Sequence, residues 1–171
     1  MTRLLVLSDT HLSDTQLLNR RRRLPAELEA LIPDVDVVVH AGDWVGIAIL
    51  DQLEAASRRL LACWGNNDGP ELRRRLPEVA RAEVDGVRIA VTHETGTKLG
   101  REARADTRFP DVDLLIFGHS HIPWDSTTPR GMRLLNPGSP TDRRGQPNGS
   151  YLVVEIDADG RIDSELRLVP R

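Results

Sequence analysis

Five short apolar runs, Leu4 to Leu7, Val35 to Val39, Leu60 to Trp64, Val87 to Val91 and Leu114 to Phe117, set the framework of this chain. Each has strand length and is rich in β-branched or aliphatic residues. Each is also followed at once, or within a few positions, by residues that can bind metal: Asp9-Thr10-His11, Gly42-Asp43, Gly65-Asn66, His93 and Gly118-His119-Ser120-His121. If the runs lie side by side in one sheet, their carboxyl ends bring these scattered side chains to a single rim, which is where open α/β sheets bind their ligands.

At 171 residues the sequence suits one domain, 1–171, large enough to bury a core without staples. The formal charge of -3 gives no global attraction to nucleic acid. Aromatic residues are too few for a stacking platform along a single strand. Cys63, the one cysteine, cannot form an internal disulfide and lies within an apolar run, as a small buried hydrophobe would. No run approaches the ~20 residues of a membrane span, and the first strand begins too early for a signal peptide. A soluble cytoplasmic protein is expected.

Between the runs, leucines spaced among arginines and glutamates predict a helix from Thr15 to Leu31, irregular near Pro25. Further helices are expected over Ile47 to Ala56, Pro70 to Leu76 and Thr97 to Ala105. Ala80 to Val84 and Val87 to Val91 flank Asp85-Gly86, a hairpin signal. Met132 to Leu135 reads as a strand, and Tyr151 to Ile156 with Ile162 to Leu168 as a terminal hairpin. Asn136 to Gly149 reads as a long ordered loop. The pattern is βαβαβ followed by a second, largely antiparallel sheet.

Asp9 and His11 are two apart, as are His119 and His121, so at an extended strand end each pair would share a face and could grip one ion. Imidazole with carboxylate suits transition metals better than calcium or magnesium, and the absence of thiolates argues against a structural zinc site. Asp9, His11, Asp43, Asn66, His93, His119 and His121 exceed what one tetrahedral ion needs, so two ions are expected, with a carboxylate such as Asp43 bridging them. Two divalent ions would outweigh the charge of Asp9 and Asp43. The centre would then attract an anion and favour phosphoester hydrolysis by a bridging hydroxide.

The order Asp-x-His, Gly-Asp, Gly-Asn-x-Asp, Thr-His, Gly-His-x-His resembles the calcineurin-like metallophosphoesterases over nearly the whole chain. Gly65-Asn66-Asn67-Asp68, Gly118-His119-Ser120-His121-Ile122-Pro123 and Asn136-Pro137-Gly138-Ser139 resemble its small prokaryotic phosphodiesterase subgroup. The resemblance implies an α/β fold, a four-layer α/β/β/α sandwich of two mixed sheets flanked by helices. It also implies two divalent transition-metal ions, manganese favoured, with iron, nickel, cobalt and zinc as alternatives. Asp9, His11, Asp43 and His121 would hold the first ion and Asp43, Asn66, His93 and His119 the second. Asp43, Asn66 and Asn67 are expected at the reacting phosphoryl group. The implied partner is a small phosphoester, with no membrane and no specific nucleic acid, and a homo-oligomer is admissible. The alternative is a protein-binding scaffold on the same fold, as in a retromer subunit.

Two positions depart from the family pattern. Asn67 stands where many members carry a histidine thought to assist the leaving group, although the small subgroup often lacks it, and Glu94 replaces the usual glycine after Thr-His. An amide cannot protonate a departing alkoxide. His40 matches no ligand position and is expected to pack or support the ligands. Asp68 reads either as orienting a site residue or as capping the segment that begins at Pro70. Of the arginine runs, Arg20 to Arg23 and Arg73 to Arg75 read as solvated faces, while Arg143 and Arg144 are placed to reach the rim of the site.

Overall fold

The computed structural model describes residues 1–170. In chain order its elements are β1 (Thr2–Leu7), α1 (Asp14–Leu18), α2 (Ala26–Leu31), β2 (Val37–His40), α3 (Ile47–Ala56), β3 (Leu60–Ala62), α4 (Pro70–Arg75), β4 (Val79–Val84), β5 (Val87–Thr92), α5 (Arg101–Arg108), β6 (Leu114–Ile116), β7 (Trp124–Thr127), β8 (Arg133–Asn136), β9 (Gly149–Ile156) and β10 (Ile162–Val169). The strands form two five-stranded mixed sheets, β10-β9-β1-β2-β3 and β4-β5-β6-β8-β7. Within the first, β1, β2 and β3 run parallel; within the second, β5, β6 and β8 do.

Strand periodicity explains the layers. Leu4 and Val6 of β1, Val37 and Val39 of β2, and Leu114 and Ile116 of β6 meet in one apolar cluster between the sheets. The alternate residues Leu5, Leu7 and Val38 point outward, where Leu28 of α2, Ile49, Leu50 and Leu53 of α3 and Leu72 of α4 cover them. On the far side Leu115 packs with Ala105 of α5 and with Phe109. Both faces of each central strand are therefore buried, which is why these strands read as unbroken apolar runs. The result is a four-layer sandwich, helix, sheet, sheet, helix.

Several expectations change in detail. The five runs do not share one sheet: β1, β2 and β3 belong to the first and β5 and β6 to the second, so the ligand-bearing ends meet across the seam between sheets. The expected helix over Thr15 to Leu31 divides into α1 and α2. Arg20 has φ +53, Leu24 turns into the core, and Pro25 precedes α2 in an extended conformation, so the helix cannot continue. Helix α5 begins only at Arg101, after Gly100 with φ +71. Strand β7 carried no signal, since Trp124-Asp125-Ser126-Thr127 is an edge strand with alternate residues exposed and a single apolar side chain. The Asp85-Gly86 hairpin forms as expected, with φ +48 and +79 at its two turn residues.

Candidate metal centre

Asp9, Asp43 and Asn66 follow the carboxyl ends of β1, β2 and β3, while His93, His119 and His121 follow β5 and β6. All seven expected positions, His11 included, come together where the two sheets meet. The spacing argument for Asp9/His11 and His119/His121 does not hold as stated, because these residues lie beyond the strands and are not extended. Asp9, His11, Asp43, His119 and His121 have φ +54, +47, +61, +70 and +58. Left-handed backbone is costly for residues with a Cβ and persists where surrounding contacts enforce it. Here the enforcement is visible: Asp9 N–H donates to the Gly42 carbonyl at 2.9 Å, His11 N–H to the Asp43 carbonyl at 3.0 Å and Leu12 N–H to the Trp44 carbonyl at 3.0 Å. The two loops thus lie bonded side by side past the end of the β1/β2 ladder.

The polar atoms left over converge. Asp9 is fully buried; its Oδ2 accepts from Ser8 Oγ at 2.7 Å and from the His119 N–H at 2.9 Å, while its Oδ1 has no hydrogen-bond partner. That oxygen lies 3.3 Å from His121 Nε2, 3.9 Å from His11 Nε2 and 4.0 Å from His93 Nε2. His11 Nε2 and His121 Nε2 face each other at 3.2 Å. Asp43 sits between the histidines, with Oδ2 3.4 Å from His11 Nε2 and Oδ1 3.4 Å from His93 Nε2. Asn66 Oδ1 lies 3.0 Å from both His93 Nε2 and His119 Nδ1. Two trios of donor atoms, Asp9/His11/His121 and Asp9/Asp43/His93, are each compact enough to hold an ion. Asp9 belongs to both trios, and Asp43 reaches both histidine groups.

This donor set fits cations. His121 Nδ1 bonds the Asp142 carbonyl and His93 Nδ1 the Ala41 carbonyl at 2.7 Å; a carbonyl only accepts, so each ring donates there and turns Nε2 inward. Burial, aided by the nearby charge of Arg144, holds the His121 pKa below its ordinary value, which leaves the Nε2 lone pair free. For His93 burial opposes the charged form, but Asp43 and Asp9 outweigh it and raise the pKa, so positive charge is favoured at that point. Burial alone would push the Asp43 carboxyl up; hydrogen bonds from His93 and Asn67 hold it well below the usual carboxylate range. No lysine or arginine pairs with Asp9 or Asp43 among the described residues. Two buried carboxylates with only histidines set against them are costly, and an ion bound between them removes that cost.

Close approach is possible because glycines line the cradle. A side chain at Gly65 would collide with the Asp43 carboxylate and backbone, and one at Gly118 with Ser8 Oγ and Asp9 Oδ2. Asp68 proves to be a clamp and not a helix cap. Its Oδ2 accepts from the Asp43 N–H at 3.0 Å and the Gly65 N–H at 2.7 Å, and its Oδ1 from the Val45 N–H at 2.8 Å, while α4 has Gly69 at its cap with no side-chain bond. Burial pushes its pKa up, against these backbone donors. His40 is wholly buried, stacked on Trp44 at 3.5 Å between ring centroids, bonded to the Gly42 N–H at 3.2 Å and to Thr10 Oγ1 at 3.1 Å. It touches none of the converging donor atoms, as expected of a packed supporting residue. Burial holds its pKa well below the ordinary value.

Asn67 does not reach outward. Its Nδ2 donates to Asp43 Oδ2 at 2.7 Å and its backbone N–H to Asp43 Oδ1 at 2.8 Å. Glu94 Oε1 stands 3.8 Å from His119 Nδ1 at the open side. Arg73, expected on a solvated face, instead folds back: Nε donates to the Asp68 carbonyl at 2.7 Å and the guanidinium lies 4.2 Å from the Trp64 ring centroid. Arg143 donates to the Gln146 carbonyl at 2.6 Å, whereas Arg144 stays exposed with its charge felt at His121. Supporting contacts that no single residue announced come from Asn136 and Ser139. Asn136 Nδ2 bonds the Gly118 carbonyl at 2.9 Å, and Ser139 Oγ bonds the Asp9 carbonyl at 2.7 Å. Their motif was legible but its role was not, since it acts on backbone atoms of loops more than a hundred residues distant in the case of Asp9.

Residues 2–159 match the family model of the calcineurin-like phosphoesterase superfamily domain, and the chain belongs to that superfamily. It is 34% identical over 162 residues to a probable metallophosphoesterase of Methanocaldococcus jannaschii, covering 94% of this chain and 78% of that protein. A phosphodiesterase of the same organism is 24% identical over 127 residues, 68% of this chain and 71% of its own length. Among solved structures, a Thermotoga maritima protein matches with TM-score 0.75 and 30% identity over 99% of this chain and 100% of that one. The zinc complex of Vps29 from Entamoeba histolytica shares the fold, with TM-score 0.74 and 22% identity over 97% and 98% of the two chains. This chain is thus a metallophosphoesterase by family, a phosphoester hydrolase with candidate ligands for divalent metal. Among the described residues no helix is long and apolar enough to cross a membrane.

Proposed function

We propose that this chain hydrolyses phosphodiesters with two divalent transition-metal ions, one held by Asp9, His11, Asp43 and His121 and the other by Asp43, Asn66, His93 and His119, with Asp43 between them. The observation that carries the reading is Asp9 Oδ1, a buried carboxylate oxygen with no hydrogen-bond donor that instead faces His121 Nε2 at 3.3 Å. When bound, the ions supply an acidified water as nucleophile and positive charge opposite the phosphoryl oxygens.

The chain's own residues fix where that happens. Ser8 and the His119 N–H hold one Asp9 oxygen so that the other points inward, and Asn67 holds both oxygens of Asp43. Asp68 locks the backbones that carry Asp43 and Gly65. Asn67 cannot protonate a leaving alkoxide, which favours esters with good leaving groups. A scaffold on the same fold needs none of these converging donors, so metal retention with turnover separates the two readings.

The test is elemental analysis after reconstitution and desalting, followed by turnover of bis(nitrophenyl) phosphate across a series of divalent ions. Close to two ions per chain are expected, with manganese-like ions outperforming calcium. Protein that retains no ion and turns over no diester would overturn the reading.

A further inference from the structure

Beside the converging donors lies a cavity of about 260 Å³ lined by Trp64, Asn66, Glu78, Thr92, His93, Glu94 and Arg108. Two of these, Asn66 and His93, are proposed ligands of the second ion; the other five have no part in the chemistry above. We infer that this cavity is a subsite for an aromatic heterocycle of the substrate, so that the phosphoester taken is of nucleotide type, with its base against Trp64. The inference rests on the phosphoesterase reading and gives that reading a substrate class.

Charge decides what the cavity can hold. Its wall carries Glu78 and Glu94 against one cation, Arg108, whose Nη1 already donates to the Glu94 carbonyl at 3.0 Å and whose Nη2 lies 3.9 Å from Glu78 Oε1. Away from Asn66 and His93, which would face the second ion, the wall offers the carboxylates of Glu78 and Glu94 as acceptors and suits an uncharged group with N–H donors, as the exocyclic amines of bases are. Shape points the same way. The Trp64 indole is held flat by the Arg73 guanidinium, 4.2 Å from its centroid, and Arg73 is itself tied to the Asp68 carbonyl at 2.7 Å. Trp64 lines the cavity, and an arginine stacked on its ring keeps the indole rigid, so that it can serve as the platform for one base. The volume admits one base and not a longer stretch of polymer, which agrees with the scarcity of other aromatic residues.

The test compares the affinities of metal-loaded protein for adenosine monophosphate and ribose phosphate by calorimetry, with inorganic phosphate as reference. The nucleotide should bind about tenfold or more tightly than the sugar phosphate, the range expected for one stacked base. Trp64→Leu should bring that ratio close to one, and Trp64→Phe should keep most of it, which controls for misfolding. Quenching of tryptophan emission by adenosine alone, lost in Trp64→Leu, reads the subsite without the ions. Equal affinities in the unaltered protein, or a ratio that survives Trp64→Leu, would overturn the subsite while inorganic phosphate binding and diester turnover still stood. Absence of phosphate binding and of turnover would instead bring down the phosphoesterase reading and the subsite with it.

Discussion

At the scale of single residues, Asp43 and His40 make opposite predictions although three positions apart. Asp43→Asn removes a charge that faces both His11 and His93 at 3.4 Å, so bound metal should fall below one ion per chain and turnover by about a thousandfold or more. His40→Ala should leave metal content near two. It opens a void beside Trp44 and unpairs the Gly42 N–H, costing about 2–4 kcal/mol of stability, which denaturant unfolding would read. Asn67 yields a kinetic prediction. Since its amide is committed to Asp43 Oδ2, the rate should fall steeply as leaving-group pKa rises, and Asn67→His should flatten that dependence, with a gain of ~100-fold on alkyl esters if the imidazole turns outward. A flat dependence in the unaltered protein, with chemistry rate-limiting, would show that another group donates the proton. All seven expected positions were legible as residue types at strand ends. Their left-handed backbone was not: aspartate and histidine tolerate φ > 0 better than most residues, but what fixes it at Asp9 and His11 is bonding to the Gly42, Asp43 and Trp44 carbonyls more than thirty residues away.

At the scale of elements, what was legible followed from burial. Helix α3 lies over the expected Ile47 to Ala56, and β5 over Val87 to Val91 with one residue more, because one face or both of each meet the core. Strand β7 went unseen because an edge strand with exposed alternate residues has almost no apolar pattern to display. The turn Gly65 to Asp68 was readable as a motif, yet its mechanical role depends on partners in another loop. Asp68 joins the β2 and β3 loops through three backbone donors, so Asp68→Asn, with one acceptor oxygen in place of two, should strand at least one buried N–H. We expect a loss of about 2–4 kcal/mol in unfolding free energy, and metal affinity should drop with it, since Asp43 is the residue whose backbone is released. Unchanged stability would mean that the loops hold themselves without this clamp.

At the scale of the whole molecule, the centre lies on the seam: Asp9, His11, Asp43 and Asn66 extend from the first sheet and His93, His119 and His121 from the second. Ions bound there tie the sheets together, and their binding free energy adds to that of folding. At a hundredfold excess over Kd each site contributes ~2.7 kcal/mol, so chelation should lower Tm by about 5–10 °C per site in a domain of this size. The same geometry predicts a change of sign. Without ions Asp9 Oδ1 is a buried, unpartnered charge near Asp43, and Asp9→Asn would replace it with a neutral amide able to donate to His121 Nε2, now 3.3 Å away, while the remaining oxygen keeps the Ser8 and His119 donors. Asp9→Asn should therefore raise the Tm of the chelated protein and lower that of the metal-saturated protein. Calorimetric melting of both proteins in both states decides it: if Asp9→Asn lowers Tm equally with and without ions, the carboxylate is structural and its free oxygen is not a place kept for metal.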